Sequence, residues 1–65
     1  MFNLADLRKR AGFSQLDVSH LLEVDQSAVS HWERKLNGIA YKYKKKLANL
    51  YGVSIEEIET AWEGE

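Results

Sequence analysis

Gln15-Leu16-Asp17-Val18-Ser19-His20-Leu21-Leu22-Glu23-Val24-Asp25-Gln26-Ser27-Ala28-Val29-Ser30-His31-Trp32-Glu33 is the most informative run in this chain. It reads as two short helices joined by a tight turn at Glu23-Val24. Val18 and Leu22 share the inner face of the first helix with Ser19, a small residue where two helices would touch, while Leu16 and Leu21 fall off that face. Asp25 is placed to cap the second helix, whose Val29 and Trp32 point inward. Gln26, Ser27, Ser30 and His31 are left on its outer side.

Working outward, the spacing predicts a first helix over Leu4–Ala11, with Asn3 as N-cap and Gly12 as its left-handed end. Leu4 and Leu7 share its buried face, with Met1 or Phe2 covering the end. Ser14 caps the second helix, with Asp17 near the positive helix end. The third runs about Gln26 to Arg34, and Asn37-Gly38 breaks the chain. The fourth spans about Tyr41 to Tyr51, with a buried stripe of Tyr41, Leu47, Ala48 and Tyr51 and the Lys44 stem lying along it. Gly52 ends it. Ser54-Ile55-Glu56-Glu57 is a capping box opening a fifth helix, with Ile55, Ile58 and Trp62 on one face. The expectation is an all-α, compact five-helix bundle, one domain over residues 1–65. The pair in the middle has the spacing of a helix-turn-helix, a motif whose second helix enters the DNA major groove.

Composition narrows the choice. The chain has 65 residues, no cysteine and no proline. Disulfides and thiolate metal sites are therefore excluded, and helix is the easy state. No apolar run approaches the roughly 18 residues of a membrane span, and the start lacks a signal-peptide core. A soluble, cytoplasmic protein is expected. The net charge is -1, which argues against a general polycation but says nothing of where the charge lies. Arg8, Lys9 and Arg10 cluster early. Arg34, Lys35, Lys42, Lys44, Lys45 and Lys46 crowd the middle, and Glu56, Glu57, Glu59, Glu63 and Glu65 crowd the end. There is no Gly-rich phosphate loop and no nucleophile with a base at a known spacing. His20 and His31 have no further ligands at zinc spacing. No enzyme activity, cofactor, metal or small-molecule substrate is expected.

Leu7-Arg8 before Gly12-Phe13-Ser14-Gln15, then Val18-Ser19 with Leu22, Val29 with Trp32-Glu33, and Leu47-Ala48 with Gly52-Val53-Ser54-Ile55-Glu56-Glu57 together resemble the lambda-repressor-like (XRE-type) helix-turn-helix domains of phage repressors and Cro proteins. The resemblance covers nearly the whole chain. It implies a five-helix bundle in which Gln15, at the start of the second helix, bonds a DNA phosphate. It implies that Gln26, at the start of the third, reads adenine, with Ser27 and His31 at further base-facing positions. It also implies a structural pair between Arg8 and Glu33, joining the first helix to the third. Three positions depart from the pattern. Glu23 replaces the usual turn glycine, Lys35 stands where a glycine often follows Trp-Glu, and Ile39 stands where proline is common.

These readings converge on a sequence-specific regulator of transcription, a repressor of phage or bacterial type with double-stranded DNA as its partner. The Gln26 amide matches the N6 and N7 edge of adenine. Ser27, Ser30 and His31 are groove contacts or simply a polar face. Gln15 is a phosphate ligand or a local cap. Lys35, Asn37 and Lys42 are the phosphate contacts expected from the basic middle, with about half of that cluster as bystanders, since successive lysines cannot all face one duplex. Ile55, Ile58 and Trp62 form either a homodimer interface or the last part of the core. Two copies would read half-sites about 34–36 Å apart. The same fold could instead serve as a protein-interaction module, such as an antitoxin segment or an adaptor.

Overall fold

The computed structural model describes residues 3–35 and 38–63. Five helices follow in order: α1 Leu4–Ala11, α2 Gln15–Leu22, α3 Gln26–Glu33, α4 Tyr41–Tyr51 and α5 Ile55–Glu63. The described residues contain no strand. The chain belongs to the all-α class, as the sequence predicts. Expectations resting on Met1, Phe2 and Asn37 lie outside the described residues.

Local signals set the helix starts. The Asn3 side chain accepts from Asp6 N at 2.8 Å, and the Asp6 carboxylate accepts from Asn3 N at 3.0 Å. Ser14 and Asp17 make the same exchange at 3.0 Å in each direction, and Ser54 and Glu57 at 3.1 and 2.9 Å. Each box satisfies two backbone donors that a helix start leaves orphaned. In α2 the amide of Ser14 holds the Asp17 carboxyl below its ordinary pKa.

Asp25 behaves differently from expectation. It occupies the N-cap position of α3 in extended conformation, but its carboxylate makes no cap bond. The amide it would normally accept from, that of Ala28, already donates to the Asp25 carbonyl at 3.0 Å.

Three helices end alike. α1, α2 and α4 each close on a left-handed residue: Gly12, Glu23 and Gly52, with φ of 89°, 59° and 72°. The next residue is apolar each time, and its N–H reaches back five residues: Phe13 to Arg8 at 3.2 Å, Val24 to Ser19 at 2.9 Å, Val53 to Ala48 at 2.9 Å. Phe13, Val24 and Val53 all pack against the core. That contact accompanies this kind of helix end and fixes the direction in which the chain leaves. Glu23 therefore holds a conformation suited to glycine because Val24 is anchored beyond it.

The core is Leu4, Leu7, Val18, Leu22, Val29, Trp32, Ile39, Leu47, Ala48, Tyr51, Ile58 and Ala61. Ser19 is buried beside it, with its hydroxyl donating to the Leu16 carbonyl at 2.7 Å. Leu16 and Leu21 are exposed, as their helix positions imply. One expectation changes and one open choice closes. Tyr41 is 63% exposed rather than part of the α4 stripe. It is the first residue of the helix, more than a turn ahead of Leu47, and the segment leading into α4 puts Ile39 into the core instead. Ile58 is wholly inside the protomer, so of the two roles open to it, dimer contact or last part of the core, it takes the core one. Ile55 and Trp62 are half-buried at its sides.

Candidate nucleic-acid interface

The position of α3 is fixed from three directions. Arg8 of α1 donates through Nε to Glu33 Oε2 at 2.7 Å and through Nη2 to Glu33 Oε1 at 3.2 Å. Its third nitrogen, Nη1, donates to the Phe13 carbonyl at 3.0 Å. The bond to Glu33, opposed by burial, holds the Arg8 guanidinium above its ordinary pKa. Gln15 of α2 adds a third donor, Nε2 to Glu33 Oε1 at 2.9 Å. One carboxylate thus ties α1, α2 and α3 together, with partner side chains only 10% and 7% exposed for Arg8 and Glu33. Tyr51 of α4 lies close enough for the charge of Glu33 to act on it. Burial first, and that charge second, push its phenol pKa up, so it stays neutral.

The opposite flank is aromatic. Trp32 of α3 meets Tyr43 of α4 with ring centroids 5.3 Å apart and planes inclined at 41°. The Lys42 ammonium lies 5.1 Å from the Tyr43 ring centroid and that of Lys46 lies 5.9 Å away, distances at which a cation is attracted to the ring face. Lys44 belongs elsewhere, with Nζ 3.2 Å from Glu59 Oε2 on α5. The basic cluster of α4 is therefore split. Lys42 and Lys46 stand beside the aromatic contact with α3, whereas Lys44 staples α4 to α5.

This scaffold leaves one side of α3 uncovered. Gln26 and Ser27 are exposed, and Ser30 and His31 are half-buried. At about 100° per residue, these four with Arg34 fall within an arc of roughly 140° opposite Val29 and Trp32. The arc carries amide, hydroxyl, imidazole and guanidinium groups, which offer both donors and acceptors. It carries no carboxylate, because Glu33 is turned inward onto Arg8 and Gln15. Of the residues expected at phosphates, Gln15 lies at the α1–α2–α3 junction with one N–H given to Glu33. Lys42 lies on the aromatic flank, and Lys35 is exposed just past α3 with φ of 62°. Ile55 and Trp62 lie on α5, away from these groups in the chain.

Local reading missed two features of this surface. The Gln15–Glu33 bond joins residues 18 apart, a separation that no local pattern signals. The other is Arg34, which the sequence places at the end of the third helix within the basic middle; its spacing of four from Ser30 and seven from Ser27 puts it on their face. No group of three or more metal-ligating side chains occurs among the described residues, and no described helix is long and apolar enough to cross a membrane.

No curated protein matches the chain. The model of the HTH_3 helix-turn-helix family matches residues 4–58, from the first residue of α1 into α5. This is a family of DNA-binding regulatory domains of the XRE and lambda-repressor type, not a family of enzymes. With its five helices, its buried Arg8–Glu33 link and its uncovered α3, the chain belongs to that family and is a DNA-binding transcription regulator.

Proposed function

We propose that the chain is a cytoplasmic repressor of phage or bacterial type that reads an operator half-site through the outer face of α3. The observation that carries this is the make-up of that face. It is polar, accessible and free of carboxylates between Gln26 and Glu33, because the helix's own acid is consumed inside the protomer. A carboxylate there would meet phosphates and most base edges as a repulsive group.

In this reading Gln26 bonds adenine N6 and N7, while Ser27, Ser30 and His31 contact neighbouring base edges directly or through water. Gln15 keeps a second amide N–H for a phosphate at the start of α2, where the backbone amides also favour an anion. Lys35 and Lys42 neutralise phosphates on the flanks, with Asn37 joining them on the sequence reading. A single module of this size buries little area on DNA. Two copies bound to one operator supply the remaining affinity, with Ile55 and Trp62 as their contact surface. Repression follows from occupying the promoter, with no chemistry in the protein.

The test is selection of bound sequences from a random duplex pool by the full chain. The expected result is a single enriched motif with two-fold symmetry, half-sites about 34–36 Å apart, and affinity that falls steeply with salt. Enrichment of no sequence, or binding indifferent to salt, would overturn the proposal and favour a protein partner for the same fold.

A further inference from the structure

Arg34 holds the middle of the uncovered face of α3. Resting on the DNA-reading role above, we propose that Arg34 is a specificity-determining residue that reads a guanine in the major groove, three to four base pairs from the adenine read by Gln26.

The backbone places it there. Arg34 N donates to the Ser30 carbonyl at 3.0 Å, which carries the helical register one residue past the end of α3. At about 100° per residue, Gln26 and His31 lie at the two edges of the exposed arc and Arg34 lies near its centre. A long side chain at the centre of that arc points into the depth of a groove that the helix enters, while Gln26 reaches its base from the first turn, the end of the helix that goes in first. The two residues that share its row, Ser27 and Ser30, are short, so they leave depth for a long side chain to descend between helix and bases.

The chemistry agrees with the placement. Arg34 is exposed, and no hydrogen bond or ion pair ties its side chain to another described residue. Arg8, in contrast, spends all three of its nitrogens inside the protomer. A planar guanidinium offers two parallel N–H groups, which match the O6 and N7 acceptors of guanine and no other base edge in the major groove. Phosphate neutralisation is already supplied from the flanks by Lys35 and Lys42. The distance follows from the helix itself. Eight residues separate Gln26 from Arg34, about 12 Å of helix rise, which spans three to four base pairs at about 3.4 Å each.

The test uses the full chain and the duplex it selects, with affinities measured by fluorescence anisotropy. At the guanine position each other base is substituted in turn, and separately 7-deazaguanine, which lacks the N7 acceptor. The wild type is expected to lose roughly five- to hundred-fold on base replacement and to bind the 7-deaza duplex more weakly than the guanine duplex. Arg34→Ala is expected to bind all five duplexes alike while keeping its adenine preference at the Gln26 position. Its melting temperature should match the wild type, since nothing in the fold depends on the side chain. The inference is overturned if the selected half-site has no guanine at that spacing. It is also overturned if Arg34→Ala weakens every duplex by one common factor and lowers the salt slope by about 0.9, the signature of a phosphate contact. Those failures leave the DNA-reading role standing; a wild type that selects no sequence at all removes both.

Discussion

Replacing Glu33 by alanine is the sharpest stability test of the fold, because one carboxylate joins three helices. Its loss would strip Arg8 Nε and Nη2 of their acceptor at a side chain that is only 10% exposed, and would free the Gln15 amide as well. Breaking a buried pair from one side costs roughly 3–5 kcal/mol, because an uncompensated charge stays behind. A chain of 65 residues has a total stability of only about 3–10 kcal/mol, so Glu33→Ala should lose a third of it or more. The assay is urea unfolding followed by circular dichroism. With a slope near 1 kcal/mol/M for a domain this small, the midpoint should drop by about 3 M or the variant should be unfolded in buffer. The double variant Arg8→Met with Glu33→Leu removes both charges and should recover most of the loss, since a well-packed apolar replacement of a buried pair is often neutral. A single variant within about 1 kcal/mol of wild type, or a double variant no more stable than the single, would refute the reasoning.

Trp32→Ala empties the centre of the core and removes the ring on which Tyr43 rests. It should cost about 3–5 kcal/mol in urea unfolding, and an unchanged melting temperature would place Trp32 outside the core. Glu23→Gly relieves a left-handed residue at φ 59°. Against the greater chain freedom of glycine in the unfolded state, the net gain should be about 0.5–1 kcal/mol, a rise of a few degrees in melting temperature, and a fall would show that the glutamate side chain stabilises the turn. Gln26→Ala should leave the melting temperature alone and cost roughly 1–3 kcal/mol of binding on the selected duplex. Equal affinity for that duplex would remove its base-reading role.

Helix ends were legible because their causes are local. Asn3, Ser14 and Ser54 act within three residues, and Gly12 and Gly52 act on their own backbone. The inward set Val18, Leu22, Val29 and Trp32 was legible because helical period and burial coincide there. Asp25 escaped because its cap bond competes with a backbone bond one atom set away, a choice that composition does not encode. Tyr41 stays outside and Ile39 goes into the core because burial near a helix start depends on the angle at which the preceding segment arrives. The link from Arg8 to Glu33 was readable only through family resemblance, and the Gln15 bond to the same carboxylate was not readable at all. Contacts across 18 and 25 residues depend on the packed fold.

The central claim is that the outer side of α3 is the surface that meets DNA. Amide chemical-shift mapping of the labelled chain, titrated with its selected duplex, tests it most directly. The expected result is a set of large shifts over Gln26 to Arg34, with a second group at Gln15 and Lys42 and little change along the acidic outer residues Glu56 and Glu57 of α5. Shifts centred on α5, or on exposed Leu16 and Leu21 of α2 with α3 unmoved, would contradict the account.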